Sequence, residues 1–167
     1  LNAGKIILER VLERQTVDGA WQRRMAPGEC NCDPSCRGNS VFCVAIMMTG
    51  LRMLHQETGD AQTLESLVKA GDFMKAMWIE EAKGFRYTSC RRDNNDWSKT
   101  FLWDALVYIH RHTRDPELGR YIRLGLAASL AQGFSDHGKL ITQQTRAMPY
   151  ILYDMERGGV KPGMKEE

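Results

Sequence analysis

Three cysteines crowd into Cys30-Asn31-Cys32-Asp33-Pro34-Ser35-Cys36, and a fourth, Cys90, stands in a later loop. Thiolates are soft ligands, and four of them converging suit a tetrahedral zinc ion. The physical case is that a long loop with little apolar content needs a staple, and metal binding supplies folding energy. The C-x-C-x3-C spacing departs from that usual between paired zinc ligands. Disulfides such as Cys36–Cys90 would hold the same loops in an oxidising compartment, and free thiols are the third reading. Cys43 falls in an apolar stretch and reads as a small core hydrophobe. The total of five is odd, so at least one thiol stays unpaired within the chain.

Carboxylates and aromatics supply a second set of candidates. Asp104 is embedded in an otherwise apolar stretch, between Trp103 and Ala105. A buried carboxylate with a raised pKa is what general acid–base catalysis uses. The plainer account is an acid near a helix start, capped by Ser98 or Thr100 and held by the helix dipole. Glycosidase chemistry needs a second carboxylate within roughly 5–10 Å, and Asp96 or Asp33 would supply it. Tyr87 and Trp97 can stack on sugar rings, with Arg91, Arg92 and Asp93 as polar neighbours. Charged loop residues are solvated by default, which is the bland reading of all of these. His55 and His110 lie at helix ends, where capping is the ordinary role. His137 falls in a loop and is the better acid–base candidate of the three. The expected catalytic residues are thus Asp96 and Asp104, the substrate-binding residues Tyr87, Arg91 and Trp97, and the metal ligands Cys30, Cys32, Cys36 and Cys90.

The elements that must position these residues are helical. Ile7, Leu8, Val11 and Leu12 share one face over residues 2–16, opposite Glu9, Arg10, Glu13 and Arg14. A loop over 18–38 leads to a helix over 40–57 that is apolar on nearly all sides, the pattern of a helix buried all round. Asp60 is placed to cap a third helix over 61–80, which is amphipathic again. A loop over 81–99 precedes a second apolar helix, from Phe101 to Ile109. Asp115-Pro116-Glu117 then supplies a cap, a first-turn proline and an acidic start for a helix over 116–133. A last helix over 143–157, bent by Pro149, ends at Gly158-Gly159, and the tail 158–167 reads as loose.

These pieces repeat. Leu51, Leu54, His55 and Thr58-Gly59-Asp60 match Leu106, Ile109, His110 and Thr113-Arg114-Asp115 at a constant offset of 55. A Gly followed by apolar residues recurs as Asp18-Gly19-Ala20-Trp21, Lys83-Gly84-Phe85 and His137-Gly138-Lys139-Leu140. The period excludes tetratricopeptide and ankyrin repeats. The expected fold is all-α, with three antiparallel helical hairpins forming one domain over 1–157. Inner apolar helices alternating with outer amphipathic ones resemble half of an α/α toroid, the fold of six-hairpin glycosidases, polysaccharide lyases and terpenoid cyclases. Gln15-Thr16-Val17-Asp18-Gly19-Ala20-Trp21 is similar to the Gln…Gly-x-Trp string of terpenoid cyclase repeats, and Glu57-Thr58-Gly59-Asp60 to the hairpin turn of carbohydrate-active toroids.

The resemblance implies the toroid portion of a carbohydrate-active enzyme, a glycoside hydrolase or polysaccharide lyase, with an oligosaccharide ligand at the long-loop end. A non-catalytic helical module binding a glycan or a protein partner is the alternative. A terpenoid cyclase-like enzyme is the third, against which stands the lack of an acidic Asp-rich motif. Composition narrows the partners. The chain has 167 residues, 43% hydrophobic and 26% charged, with a net charge of +2, which gives no electrostatic case for nucleic acid. No run is apolar enough to span a membrane. Three hairpins would leave a ring open, so the missing half of the toroid, or a partner chain, is expected to complete it. The expected cofactor is either none or a structural zinc ion held by the cysteines.

Overall fold

The computed structural model describes residues 2–30, 32, 34, 36–92, 96–97, 102–131 and 138–159. Among them the chain is mostly helical, with helices α1 (Asn2–Glu13), α2 (Val41–Thr58), α3 (Ala61–Ala76), α4 (Trp103–Thr113), α5 (Pro116–Ala131) and α6 (Gly138–Gly158). Short strands lie between them: β1 (Arg23–Arg24), β2 (Arg37–Gly38), β3 (Trp78–Ile79), β4 (Gly84–Arg86) and β5 (Asp96–Trp97). Among the described residues no helix is long and apolar enough to cross a membrane. The contacts divide the chain into two compact units, Leu1–Met77 with Arg86–Asn95, and Trp78–Phe85 with Asp96–Glu167.

In the first unit α2 packs on α3 through a two-residue turn. Gly59 takes the left-handed conformation at φ 66° and its N–H closes on His55 O at 2.7 Å. Asp60 then caps α3, its carboxylate accepting from the Thr63 N–H at 2.8 Å. The expectation of a helix buried on all sides fails for α2. Val41, Val44, Ala45, Met48 and Leu51 are buried, yet Cys43, Ile46, Gly50 and Met53 are exposed. One face packs and the other is apolar without a cover. Helix α1 is looser still, with Ile6 and Ile7 both more than half exposed. Its C-terminal end is tied by the Gln15-to-Trp21 string. The Gln15 amide donates to Gly19 O and Ser66 O, both at 2.9 Å, and accepts from the Ser66 hydroxyl at 2.8 Å. The Trp21 indole N–H reaches Val11 O at 2.8 Å.

The second unit repeats the turn with a different residue. Arg114 occupies the left-handed position at φ 56° where Gly59 stands in the first unit. That conformation costs a non-glycine residue about 1 kcal/mol. The Arg114 guanidinium offsets it by donating to the carbonyls of Gly158 and Arg157, which end α6. Asp115 caps α5 as expected, its carboxylate accepting from the N–H groups of Glu117 and Leu118 at 2.9 and 3.2 Å. Helix α4 is the one buried all round, with every residue from Trp103 to His110 buried. It packs on α5 and α6, and Arg111 reaches the buried carboxylate of Asp154 on α6 at 2.8 Å.

Several local expectations are corrected. The third helix stops at Ala76, and Trp78 opens the β3–β4 pair, lying opposite Phe85. Its ring stacks on Tyr121 with centroids 4.5 Å apart and meets Phe85 and Trp103 edge-on. Helix α4 has Leu102 at its cap position with no side-chain hydrogen bond, and Ser98 and Thr100 lie outside the described residues. Helix α6 begins at Gly138, five residues before the expected start at 143. His137 lies outside the described residues.

Gly125 packs closely against Trp103 in the second unit. A Cβ there would fall 2.1 Å from the Trp103 ring and 3.1 Å from the Lys83 carbonyl. Gly125→Ala is therefore expected to lower unfolding stability by about 1–3 kcal/mol. Urea denaturation followed by Trp fluorescence measures it, and an unchanged midpoint would contradict this packing.

Candidate metal centre

The segment carrying Cys30, Cys32 and Cys36 is shaped by a short hairpin. β1 and β2 pair antiparallel, Arg23 opposite Gly38 and Arg24 opposite Arg37, and the Met25 N–H donates to Cys36 O at 3.0 Å. Ala26-Pro27-Gly28-Glu29 forms the turn, closed by the Glu29 N–H on Ala26 O at 3.0 Å. Gly28 sits at φ 85°, so proline then glycine occupy the two central positions that a type II turn demands. The Glu29 carboxylate reaches back to the Ala26 N–H and takes both ends of the Arg23 guanidinium. That pair holds the Glu29 carboxyl below its ordinary range, the Arg23 hydrogen bonds being the main cause. Arg23 also meets Ser40 and Cys43, which ties the hairpin to the first turn of α2.

Cys90 arrives on a separate stretch that runs antiparallel beside residues 39–41. The Val41 N–H donates to Tyr87 O at 2.9 Å, and Ser40 bridges Thr88. The Ser89 N–H donates to Asn39 O, while the Asn39 N–H donates to the Ser89 hydroxyl, both at 2.8 Å. Gly38 lies so close that a Cβ would stand 2.7 Å from that hydroxyl. Cys90 is thus delivered by a backbone ladder anchored at the start of α2, and it is buried.

The four sulfurs meet. Those of Cys30, Cys32, Cys36 and Cys90 all lie within 4.8 Å of one another. Cys32 and Cys90 approach to 3.6 Å, and Cys30 and Cys36 to 3.8 Å. A zinc–sulfur bond of about 2.3 Å gives a tetrahedron with edges of about 3.8 Å, so this cluster has the dimensions to hold a four-thiolate metal ion. No disulfide joins any of the five cysteines, and the distances are far beyond the ~2.05 Å of an S–S bond. Backbone N–H groups of Cys32 and Cys36 point at the Cys30 sulfur and draw its pKa down. Cys36 goes the other way, pushed up to about 12 by desolvation and by its thiol neighbours Cys90, Cys30 and Cys32. Cys32 is raised too, chiefly by the Cys90 thiol.

The other predicted residues fall in both units. Asp96, Trp97 and Asp104 belong to the second unit, Tyr87 and Arg91 to the first. Asp96 and Trp97 form β5, and their side chains lie outside the described residues, as does Asp33. Asp104 is buried in the first turn of α4, as its apolar surroundings predict. Tyr87 is half-buried and Arg91 exposed, directly after Cys90. Cys43 is a correction, being exposed rather than a core residue. His110 is buried at the end of α4 with a ring nitrogen 2.9 Å from Asp115 O, and burial lowers its pKa. Its ring thereby ties the turn between α4 and α5. The Arg23–Glu29 clamp was not foreseen, although Pro27-Gly28 is a turn signature that brings the two residues together.

Metal binding must strip protons from these thiols, so affinity is expected to fall as pH drops from 8 to 6, roughly tenfold per unit for each proton released. Competition titration against a chelator at several pH values reads this directly. Single Ser substitutions at Cys30, Cys32, Cys36 or Cys90 should each weaken binding, by contrast with Cys43→Ser, which should leave it unchanged.

Among known proteins, no family model, no curated protein and no solved structure matches the chain.

Proposed function

We propose that Cys30, Cys32, Cys36 and Cys90 bind one zinc ion as a structural centre. The observation that carries this is the approach of all four sulfurs to within 4.8 Å of one another. A four-thiolate shell leaves no open position for water or substrate, which is the mark of a structural rather than a catalytic zinc. Its work is mechanical. It joins the hairpin after α1 to the stretch ending at Cys90, two segments otherwise held by a few backbone hydrogen bonds.

The helical scaffold around it is read as the portion of an α/α toroid belonging to a carbohydrate-active enzyme. Support comes from the turn that recurs at Gly59-Asp60 and Arg114-Asp115, and from α4, an inner helix buried on every side. The exposed apolar face of α2 is where further hairpins of the ring would pack. Gln15 and Trp21 are used in tying α1 to α3 and the following loop, so their string favours the architecture and leaves the terpenoid cyclase reading without a chemical argument. In the carbohydrate reading Asp96 and Asp104 act as acid or base, and Tyr87, Arg91 and Trp97 bind the sugar.

Elemental analysis of chain purified under reducing conditions should find one zinc per chain, and cobalt substitution should give the visible bands of tetrahedral sulfur ligation. Absence of both would end the zinc reading. For the carbohydrate reading, a polysaccharide panel should show turnover that Asp96→Ala and Asp104→Asn abolish. Glycan binding without turnover would favour the non-catalytic module instead.

A further inference from the structure

Four thiolates placed in two close pairs carry an oxidation chemistry besides metal binding. Three pairings of the four sulfurs are conceivable. Joining Cys30 to Cys32 closes a C-x-C ring too short for unstrained disulfide geometry, which leaves Cys36–Cys90 without its complement. Of the other two, one joins the pairs whose sulfurs meet in hydrogen-bond geometry: Cys32 with Cys90 at 3.6 Å and Cys30 with Cys36 at 3.8 Å. Cys30, Cys32 and Cys36 are partly exposed, so a small oxidant reaches them first, and buried Cys90 is placed to resolve the product formed at Cys32.

We propose that a peroxide converts this centre into two disulfides, Cys30–Cys36 and Cys32–Cys90, with release of the zinc ion; the inference rests on the zinc reading above. In each pair one thiolate attacks a peroxide oxygen, breaking the O–O bond and leaving a sulfenic acid and hydroxide. The partner thiolate then attacks the sulfenic sulfur, forming the S–S bond and expelling a second hydroxide. Two peroxides accept the four electrons given up by four thiolates, and four protons from solvent turn the hydroxides into water. Zinc leaves because a disulfide sulfur carries no charge to hold it. The Cys32–Cys90 bond joins the same two segments that the metal joined, so the staple changes its chemistry while the loops stay connected. The Cys30–Cys36 bond closes the hairpin segment on itself.

The test uses the full chain carrying Cys43→Ser, which removes the bystander thiol, loaded with zinc and titrated with hydrogen peroxide. A chromophoric chelator reads free zinc, and peptide mapping without reductant reads the pairs. The expected result is full release at about two peroxides per zinc, with Cys30–Cys36 and Cys32–Cys90 as the linked peptides and recovery on adding dithiothreitol and zinc. Release with other pairings, or with sulfinic acids in place of disulfides, would overturn the proposal while leaving the zinc reading intact. A reduced chain that takes up no zinc would overturn the zinc reading and the switch together. A Cys30→Ser, Cys36→Ser double variant is expected to retain the Cys32–Cys90 linkage after oxidation, and loss of that linkage would count against the assigned pairing.

Discussion

The first unit depends on bringing Cys90 against a hairpin whose nearest cysteine lies more than fifty positions earlier in the chain. Closing so long a loop costs chain entropy, and little apolar surface around the cysteines is present to offset it. The backbone ladder between residues 39–41 and 87–89 supplies part of the answer by fixing where the second stretch runs. The four sulfurs then stand within 4.8 Å of one another. Their separations suit a shared cation, whose binding would add folding energy to the few hydrogen bonds that the hairpin makes on its own.

The helical scaffold solves its own closure problem twice. At Gly59 the turn between α2 and α3 uses glycine, which enters the left-handed region without steric cost. At Arg114 the same turn carries a strained backbone, and the side chain that glycine lacks supplies hydrogen bonds to the end of α6. The position is thus local in the first unit and long-range in the second. Histidine is likewise repeated, and His110 shows why: its ring reaches the Asp115 carbonyl and fills the space above Gly119, where a Cβ would stand 2.8 Å from it.

Much of this was legible because it is local. Asp60 and Asp115 each stand just before their helix and accept hydrogen bonds from its first N–H groups, and such caps are decided within a few residues. The cysteine cluster was legible by residue type and loop position, but choosing between metal, disulfide and free thiol needs distances between segments far apart in sequence. The strands β1 to β5 were missed because two or three residues show no periodicity, and Trp78 was assigned to α3 since a period of 3.6 continues smoothly through it. The uncovered face of α2 was invisible for a different reason. Composition says that Ile46 and Met53 prefer burial, and only the arrangement of neighbours says whether burial occurs.

Charge gives the last link between the centre and its surroundings. Four thiolates around a zinc ion make a dianionic group, and half-burying it is unfavourable unless positive charge is near. Arg37 and Arg91 directly follow two of the ligands, Cys36 and Cys90, and both are exposed. Neither makes an ion pair among the described residues, whereas Arg23 is committed to Glu29. Exposed guanidinium groups are screened by solvent, so each offsets only a little of that charge. Backbone N–H groups of Cys32 and Cys36 lower the pKa of the Cys30 sulfur and so favour its charged form. The cysteine segment therefore contributes to the centre twice, through its sulfurs and through the backbone amides of Cys32 and Cys36.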